Sequence, residues 1–351
     1  MKLTTEENIQ YSRHLRVDEI GLEGQLKLKS AKVLMIGAGG LGCPILQYLA
    51  AAGVGQIGIL DHDTVDQSNL QRQILYGHSD IGKSKAFSAA KRLTQINPFI
   101  TVIPIDKKLT SQNALDHFRN FDIIVDGTDN FTTRYLINDA AVLTHKPVVF
   151  GSIHKFEGQV SVFNYQNGPT YRCLYPAPQT HPPQNCSEIG VLGILPGLIG
   201  SFQANEVLKL ILGLGQPLRG KLLIYNALTS HQRILRFEKN LEIQISDLPK
   251  EELFHCETTH IKELSFADFH TSKSNYHLLD VRTLADRQTH SMGGTHIPLA
   301  DLKHRVKEIP TNLPLVVYCN RGITSKEAIL ILEQESGMPP LFNLKGGLPN
   351  P

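Results

Sequence analysis

Val33-Leu-Met-Ile-Gly37-Ala-Gly39-Gly40-Leu-Gly42 carries an apolar run into a glycine loop. Glycines at that spacing let the backbone turn sharply and bring its N–H groups, backed by a helix N-terminus, against a phosphate. Asp61 lies 19 residues beyond Gly42, at the end of a second apolar run, where a carboxylate accepts hydrogen bonds from ribose hydroxyls. Alone, these residues fit any nucleotide-binding parallel sheet, NAD included. The residues after Asp61 favour a triphosphate. Ser68-Asn69-Leu70-Gln71-Arg72 sets amides and a base after the second strand, and Lys85 opens the next helix. Two cations at one phosphate site suit a triphosphate better than a pyrophosphate bridge. Asp126-Gly-Thr-Asp129-Asn130 lies past the fourth strand, and a carboxylate there can hold Mg²⁺. Each residue also has a plainer role: Lys85 as a solvated helix residue, Arg72 as a surface ion pair, Asp129 as a helix cap.

Two thiols stand out. Pro314-Leu-Val-Val-Tyr-Cys319 is a strand ending in a cysteine, and the loop Asn320, Arg321, Gly322, Ile323, Thr324, Ser325 then turns into a helix. Backbone N–H groups of such a loop point at the sulfur and stabilise an anion, with Arg321 adding charge. Cys186 sits in Asn185-Cys-Ser-Glu-Ile-Gly before an apolar helix, whose N-terminus would favour thiolate. The plainer alternatives are a semi-buried cysteine at 186 and an inert strand-end cysteine at 319.

The elements that must position these groups alternate. Thr4-x-x-Glu7 predicts a helix through about Arg16. Strands are expected at 32–36, 56–60, 101–105, 122–125 and 147–150, with helices at 41–52, 83–96, 112–118 and 130–144. That order predicts an α/β fold with a doubly wound, mostly parallel sheet covered on both faces. Antiparallel additions are expected at 159–163, 221–225 and 233–237, around a polar loop (165–190) and an apolar helix over 189–212. Residues 1–240 form the first expected domain and 241–258 a linker, within a charged, weakly periodic stretch from Glu238 to Thr259. A small α/β domain over 259–351 comes next, with strands at 277–281, 314–318 and 341–344 and a helix at 324–335.

Composition sets the outer bounds. The chain has 351 residues, enough for roughly two domains at about 150 residues each. It is 41% hydrophobic and 19% charged, which suits packed cores and not a disordered chain. A net charge of +2 implies no bulk attraction to nucleic acid or an anionic membrane. Ile189 to Asn205 is uncharged but broken by Gly190, Gly193, Pro196, Gly197 and Gly200, so it reads as a buried helix and not a membrane span. Acidic residues stand where a signal peptide needs an apolar core, and five scattered cysteines argue against a disulfide framework. A soluble, cytoplasmic protein is expected.

The motifs of residues 5–237 resemble the adenylation domain of ubiquitin-activating-like enzymes, nearest the MoeB/ThiF group of molybdopterin-synthase and sulfur-carrier adenylyltransferases. The resemblance implies that ATP adenylates the C-terminal Gly-Gly carboxylate of a small ubiquitin-like sulfur-carrier protein. It implies that Gly40, Asp61, Asn69, Arg72 and Lys85 contact ATP and that Asp129 binds Mg²⁺. Arg13 matches an arginine that reaches the other subunit's site, so a homodimer is implied, with the apolar helix as interface as well as core. Cys186 matches a cysteine that takes the acyl group or resolves an acyl disulfide. Many members bind structural zinc through two Cys-x-x-Cys pairs. Here those positions are Thr170, Cys173, Ile243 and Ser246, so no zinc site is expected, since one thiolate cannot make a tetrahedral site. Rescue by His181, Cys256 or His260 is irregularly spaced.

Residues 259–351 resemble a rhodanese domain: Leu278-Leu-Asp280-Val-Arg282, His290-x-x-Gly293, His296-Ile-Pro-Leu299, the Cys319 loop and Leu344-Lys-Gly-Gly347. This implies a sulfane sulfur carried on Cys319, drawn from thiosulfate or a cysteine desulfurase. Thr324 replaces a second arginine found in many relatives, and the sequence stops at 347–351 where such domains usually continue into one more helix. Joined, the halves predict adenylation followed by attack of a Cys319 persulfide on the acyl-AMP to give a carrier thiocarboxylate. Thioester transfer for protein conjugation and a non-catalytic carrier-binding scaffold are the rivals.

Overall fold

The structure is a computed structural model that describes residues 2–176, 190–248, 261–320, 322 and 324–348. It divides into two units, Met1–Phe254 and His255–Pro351.

The first unit holds eight strands: β1 (Lys32–Ile36), β2 (Gln56–Leu60), β3 (Thr101–Ile105), β4 (Ile123–Asp126), β5 (Val148–His154), β6 (Glu157–Phe163), β7 (Lys221–Asn226) and β8 (His231–Arg236). Their order is β3-β2-β1-β4-β5-β6-β7-β8, parallel through β5 and antiparallel beyond it. β1 is apolar at every position after Lys32 because both its faces are covered. Val33 and Met35 join a cluster with Leu46, Leu49, Leu93 and Val207 from three helices. Leu34 and Ile36 join Phe118, Ile137 and Phe150 on the other side. Register then does the positioning. Ile36 sits beside both Leu60 and Asp126, so Gly37, Asp61 and Gly127 leave the sheet at one level. This is where the strand order reverses, the crevice where such sheets bind ligands.

Two expectations need correction. The capping box at Thr4 is formed, with Glu7 N donating to Thr4 Oγ1 at 3.2 Å and Thr4 N to Glu7 Oε2 at 2.7 Å. The helix nevertheless ends at Gln10, because Tyr11 is drawn into the core, where Asn97 Nδ2 donates to its hydroxyl at 2.8 Å. A separate helix, Gly21–Ser30, lies beyond; it buries only Gly24, Gln25 and Leu28, too thin a stripe to show in the spacing. The apolar helix begins at Leu195, with Pro196 in its first turn. Just before the expected linker, Phe237 N bonds Gly220 O and Asn240 N reaches Cys173 Sγ, and within its described part, 241–248, Leu248 packs against the second core cluster.

The second unit is a parallel sheet of β9 (Lys262–Leu264), β10 (His277–Asp280), β11 (Thr295–His296), β12 (Leu315–Tyr318) and β13 (Leu341–Leu344), ordered β11-β10-β12-β13-β9. β12 is central and wholly buried, and it delivers Cys319 to the carboxyl edge. β9 and β11, three and two residues long, carry too little pattern to be expected from sequence.

Candidate functional site

The glycine loop is shaped by its neighbours. Gly37 has φ +88°, a left-handed conformation that favours glycine. A Cβ on Gly42 would lie 2.3 Å from Gly37 O, so the turn into the Gly42–Ala52 helix closes only without one. Gly39 lies near the Gln73 amide, and Gly40 lies between Pro196 and Arg72.

Asp61 does more than end β2. Its Oδ2 accepts from Ala38 N at 2.7 Å and its Oδ1 from Asp63 N at 2.8 Å, so it ties the glycine loop to the second strand. Burial raises its carboxyl above the ordinary value, against the pull of those two N–H groups. Tyr76 reinforces the tie, its hydroxyl donating to Ala38 O at 2.8 Å. Neither Tyr76 nor Asp63 is marked by sequence. Lys85, buried along its stem, pairs with Asp63 Oδ2 at 2.9 Å. It is therefore no solvated helix residue. Arg72 Nη1 donates to the Ser68 carbonyl at 3.0 Å, which folds the 68–72 turn onto itself and is not a surface ion pair. Ser68 and Gln71 are exposed, Asn69 is half-buried, and Leu70 packs against the core. Gln73 Oε1 and Ser84 Oγ are buried around this loop without a hydrogen-bond partner, polar groups suited to a polar ligand.

The Asp126 turn completes the rim. Asp126 is buried, and its Oδ1 accepts from Thr128 N at 2.9 Å and Thr128 Oγ1 at 2.7 Å. Burial raises its carboxyl, countered chiefly by Arg134. Arg134 donates to Thr128 O at 2.9 Å and stacks on Phe131 and Phe150. Asn130 is the helix cap, its Oδ1 accepting from Thr133 N, and Asp129 is not. That leaves the exposed Asp129 carboxylate open to a cation. Mg²⁺ is commonly held by one or two carboxylates plus phosphates and water, so a single Asp129 fits it. Gln203, a lone glutamine in the apolar helix Leu195–Leu212, donates to Asp126 O at 2.8 Å and fastens that helix to the rim. Nothing in the sequence singles it out for this role, since Ser201, Asn205 and Glu206 stand beside it.

Arg13 lies elsewhere. Tyr11 and Gln25 meet Asn97, Ala50 and Ala52 at the C-terminal end of the Gly42–Ala52 helix. That helix has 11 residues, so its two ends are about 16 Å apart, and Arg13 is exposed beyond the end opposite the glycine loop.

In the second unit, Cys319 Sγ accepts from Gly322 N at 3.1 Å and meets Ser325 Oγ at 3.3 Å. Gly322, at φ +77°, nests against Leu344 O and the N–H groups of Gly346 and Gly347. Asn320 Oδ1 accepts from Arg282, which forks onto buried Asp280. Thr324 begins the following helix. Cys186, Arg321 and Ile323 lie outside the described residues, as do Cys256, His181 and His260. Burial pushes the Cys43 thiol up to about 12, which removes it as a nucleophile. Cys173 Sγ accepts from Thr170 N at 3.3 Å and Asn240 N at 3.4 Å and touches Thr170 Oγ1 at 3.4 Å. Among the described residues, only Asp61, His62 and Asp63 bring three ligand atoms within 4.8 Å. No helix among them is long and apolar enough to cross a membrane.

Residues 11–244 match the model of the ThiF family, and residues 267–350 that of the rhodanese-like domain. The chain is 42% identical to the probable adenylyltransferase/sulfurtransferase MoeZ of Mycobacterium tuberculosis, over 99% of this chain and 93% of that one. It is 50% identical to a sulfur carrier protein adenylyltransferase of Thermus thermophilus, over 68% and 91%. In fold, it resembles Escherichia coli MccB with ATP at a TM-score of 0.59 and 22% identity, covering 69% of this chain and 75% of that one.

Proposed function

Because the chain belongs to the ThiF family and ends in a rhodanese-like domain, it is an adenylyltransferase joined to a sulfurtransferase, and we propose how its residues divide that work. The observation that carries the reading is the convergence of the glycine loop, the Arg72 turn, the Lys85–Asp63 pair and the Asp126 turn on one edge of the sheet.

The substrate is the C-terminal Gly-Gly carboxylate of a ubiquitin-like sulfur carrier. Its oxygen attacks the α-phosphorus of ATP, the bond to the bridging oxygen breaks, and pyrophosphate leaves. Loop N–H groups, Arg72 and Lys85 stabilise the charge that develops on the phosphates. Asp129 would hold Mg²⁺, which would supply Lewis-acid shielding of phosphate oxygens. Gly37, Gly39, Gly40 and Gly42 form the phosphate cradle, Asp61 serves the ribose, and Ser68, Asn69, Leu70, Gln71 and Asn130 frame the nucleotide. Arg13 serves the partner subunit's site in a homodimer; its place a helix length from its own glycine loop supports this.

Sulfur then enters from Cys319. The terminal sulfur of its persulfide attacks the acyl-AMP carbonyl, AMP leaves, and an acyl disulfide forms. The Cys186 thiolate attacks the Cys319 sulfur, which releases the carrier thiocarboxylate and leaves a Cys186–Cys319 disulfide for a dithiol reductant. Thiosulfate or a cysteine desulfurase supplies the sulfane sulfur, in the cytoplasm. We expect no zinc, because of the four positions that carry two cysteine pairs in many relatives only Cys173 is a cysteine. Stoichiometric zinc in metal analysis would overturn that point.

The test is ATP–pyrophosphate exchange with each Gly-Gly-ending ubiquitin-like protein of the same genome added in turn. Exchange with one carrier establishes adenylation and names the pathway. Nucleotide binding with no exchange for any carrier would support the scaffold reading.

A further inference from the structure

Behind Cys319 lies a pair of side chains that the backbone cradle does not explain. Ser325 and Asn343 are both fully buried, one at the start of the Thr324–Leu332 helix and the other on β13. Ser325 Oγ meets Cys319 Sγ at 3.3 Å and donates to Asn343 Oδ1 at 2.6 Å. Asn343 Nδ2 faces the Glu263 carboxylate on β9 without closing a hydrogen bond. A buried amide with an unsatisfied donor is costly unless it has work in another state.

A hydroxyl carries one hydrogen and two lone pairs. While Ser325 donates to Asn343, its contact with the sulfur is made by the thiol hydrogen, so this arrangement belongs to neutral Cys319. When the sulfur is an anion, the hydroxyl hydrogen turns to it, and Asn343 Oδ1 loses its donor. Rotating the amide by half a turn then brings Nδ2 to Ser325 Oγ. The amide so satisfies the donor that the neutral arrangement leaves open.

We propose that Ser325 and Asn343 are positioning residues for Cys319, a hydroxyl–amide relay that offers one hydrogen-bond donor to an anionic sulfur and withdraws it from a neutral one. This rests on Cys319 being the sulfur-carrying thiol. The relay complements the Gly322 N–H, which is fixed and cannot follow the charge of the sulfur. Among the described residues, the charged groups around it include Glu263, its ion-pair partner Lys326 at 2.7 Å, Lys345, and the Arg282–Asp280 pair behind Asn320.

The test measures alkylation of Cys319 by iodoacetamide in the full chain, from about pH 5 to about pH 9, resolved from the other cysteines by peptide mass spectrometry. Ser325→Ala moves the midpoint to higher pH and slows alkylation at neutral pH about three- to tenfold. Ser325→Thr restores the wild-type midpoint. Asn343→Asp, which only accepts and so holds the hydroxyl away from the sulfur, slows it at least as much. An unchanged midpoint in Ser325→Ala overturns the relay, and if that variant does not fold, an unchanged midpoint in Asn343→Asp does so. One-sulfur mass gain on wild-type Cys319 after thiosulfate or polysulfide is measured separately. A shifted midpoint without loading keeps the relay and removes the sulfurtransferase reading. Loading without a shift does the reverse.

Discussion

Two roles are open to Lys85 by residue type, a solvated helix position or a phosphate ligand, and its burial removes the first. Its stem is packed and its ammonium is held by Asp63, whose own side chain is 56% exposed. Lys85→Met keeps the apolar stem and leaves a solvated carboxylate behind, so thermal stability should change little. ATP–pyrophosphate exchange should fall about 10²- to 10³-fold, as for loss of one charge-stabilising donor. Equal losses of stability and activity would assign Lys85 to structure alone. Asp126 gives a pH prediction. Its carboxyl is raised by burial, so the folded chain holds that proton more tightly than the unfolded one. The resulting stabilisation is full below about pH 3.8, the unfolded value, and is lost as pH rises through the folded value. Asp126→Asn lacks this loss, so its melting temperature relative to wild type should climb between acidic and neutral pH. A constant difference across that range would refute the assignment.

Among the elements, the second unit depends most on one side chain. Arg282 forks onto Asp280 at 2.8 and 2.9 Å, bonds Asn320 Oδ1, and also donates to His290 O. It thereby joins β10, the Cys319 loop and the turn after the Leu284–Thr289 helix. Arg282→Met leaves Asp280 buried without its partner, which costs about 3–5 kcal/mol in unfolding of this unit. Burial opposes the Asp280 charge, but its bonds from Arg282 and Tyr318 outweigh that and lower its carboxyl. The stabilisation is therefore present above about pH 3.8 and lost as pH falls through the depressed value. Urea titrations of the variant should show a smaller acid-induced loss than wild type. Sequence marks Asp280 and Arg282 as a motif; only the fold shows that they hold the residue next to the thiol.

At the scale of the whole molecule the two chemistries should separate cleanly. Cys319→Ala should abolish thiocarboxylate while leaving ATP–pyrophosphate exchange intact, and normal thiocarboxylate output would refute the persulfide step. Exchange of the arginine between protomers is tested by mixing. Arg13→Ala and Lys85→Met are each inactive alone if Arg13 acts across the dimer. In a random mixture, half the dimers pair one of each and hold one complete site, so about a quarter of wild-type activity should return. No recovery after subunit exchange would place Arg13 in its own chain's chemistry or outside it.

The glycine loop, Asp61, Arg72, Lys85 and the Asp126–Asn130 turn were legible in the chain because each needs a particular residue type at a fixed distance from a strand end. The parallel core was legible for a related reason, since strands buried on both faces read as unbroken apolar runs. Other features depend on partners far away in sequence. Tyr11 ends a helix by reaching Asn97, Gln203 holds Asp126 from across the sheet, and Asn343 meets Ser325 from another strand. The 238–248 segment has the composition of a linker, yet it docks on Cys173 and the second core cluster. Sequence alone therefore determined which chemistry the chain carries, because motifs are local. The tertiary structure decided which groups hold that chemistry in place, because burial and hydrogen bonds form only between elements that packing has already brought together.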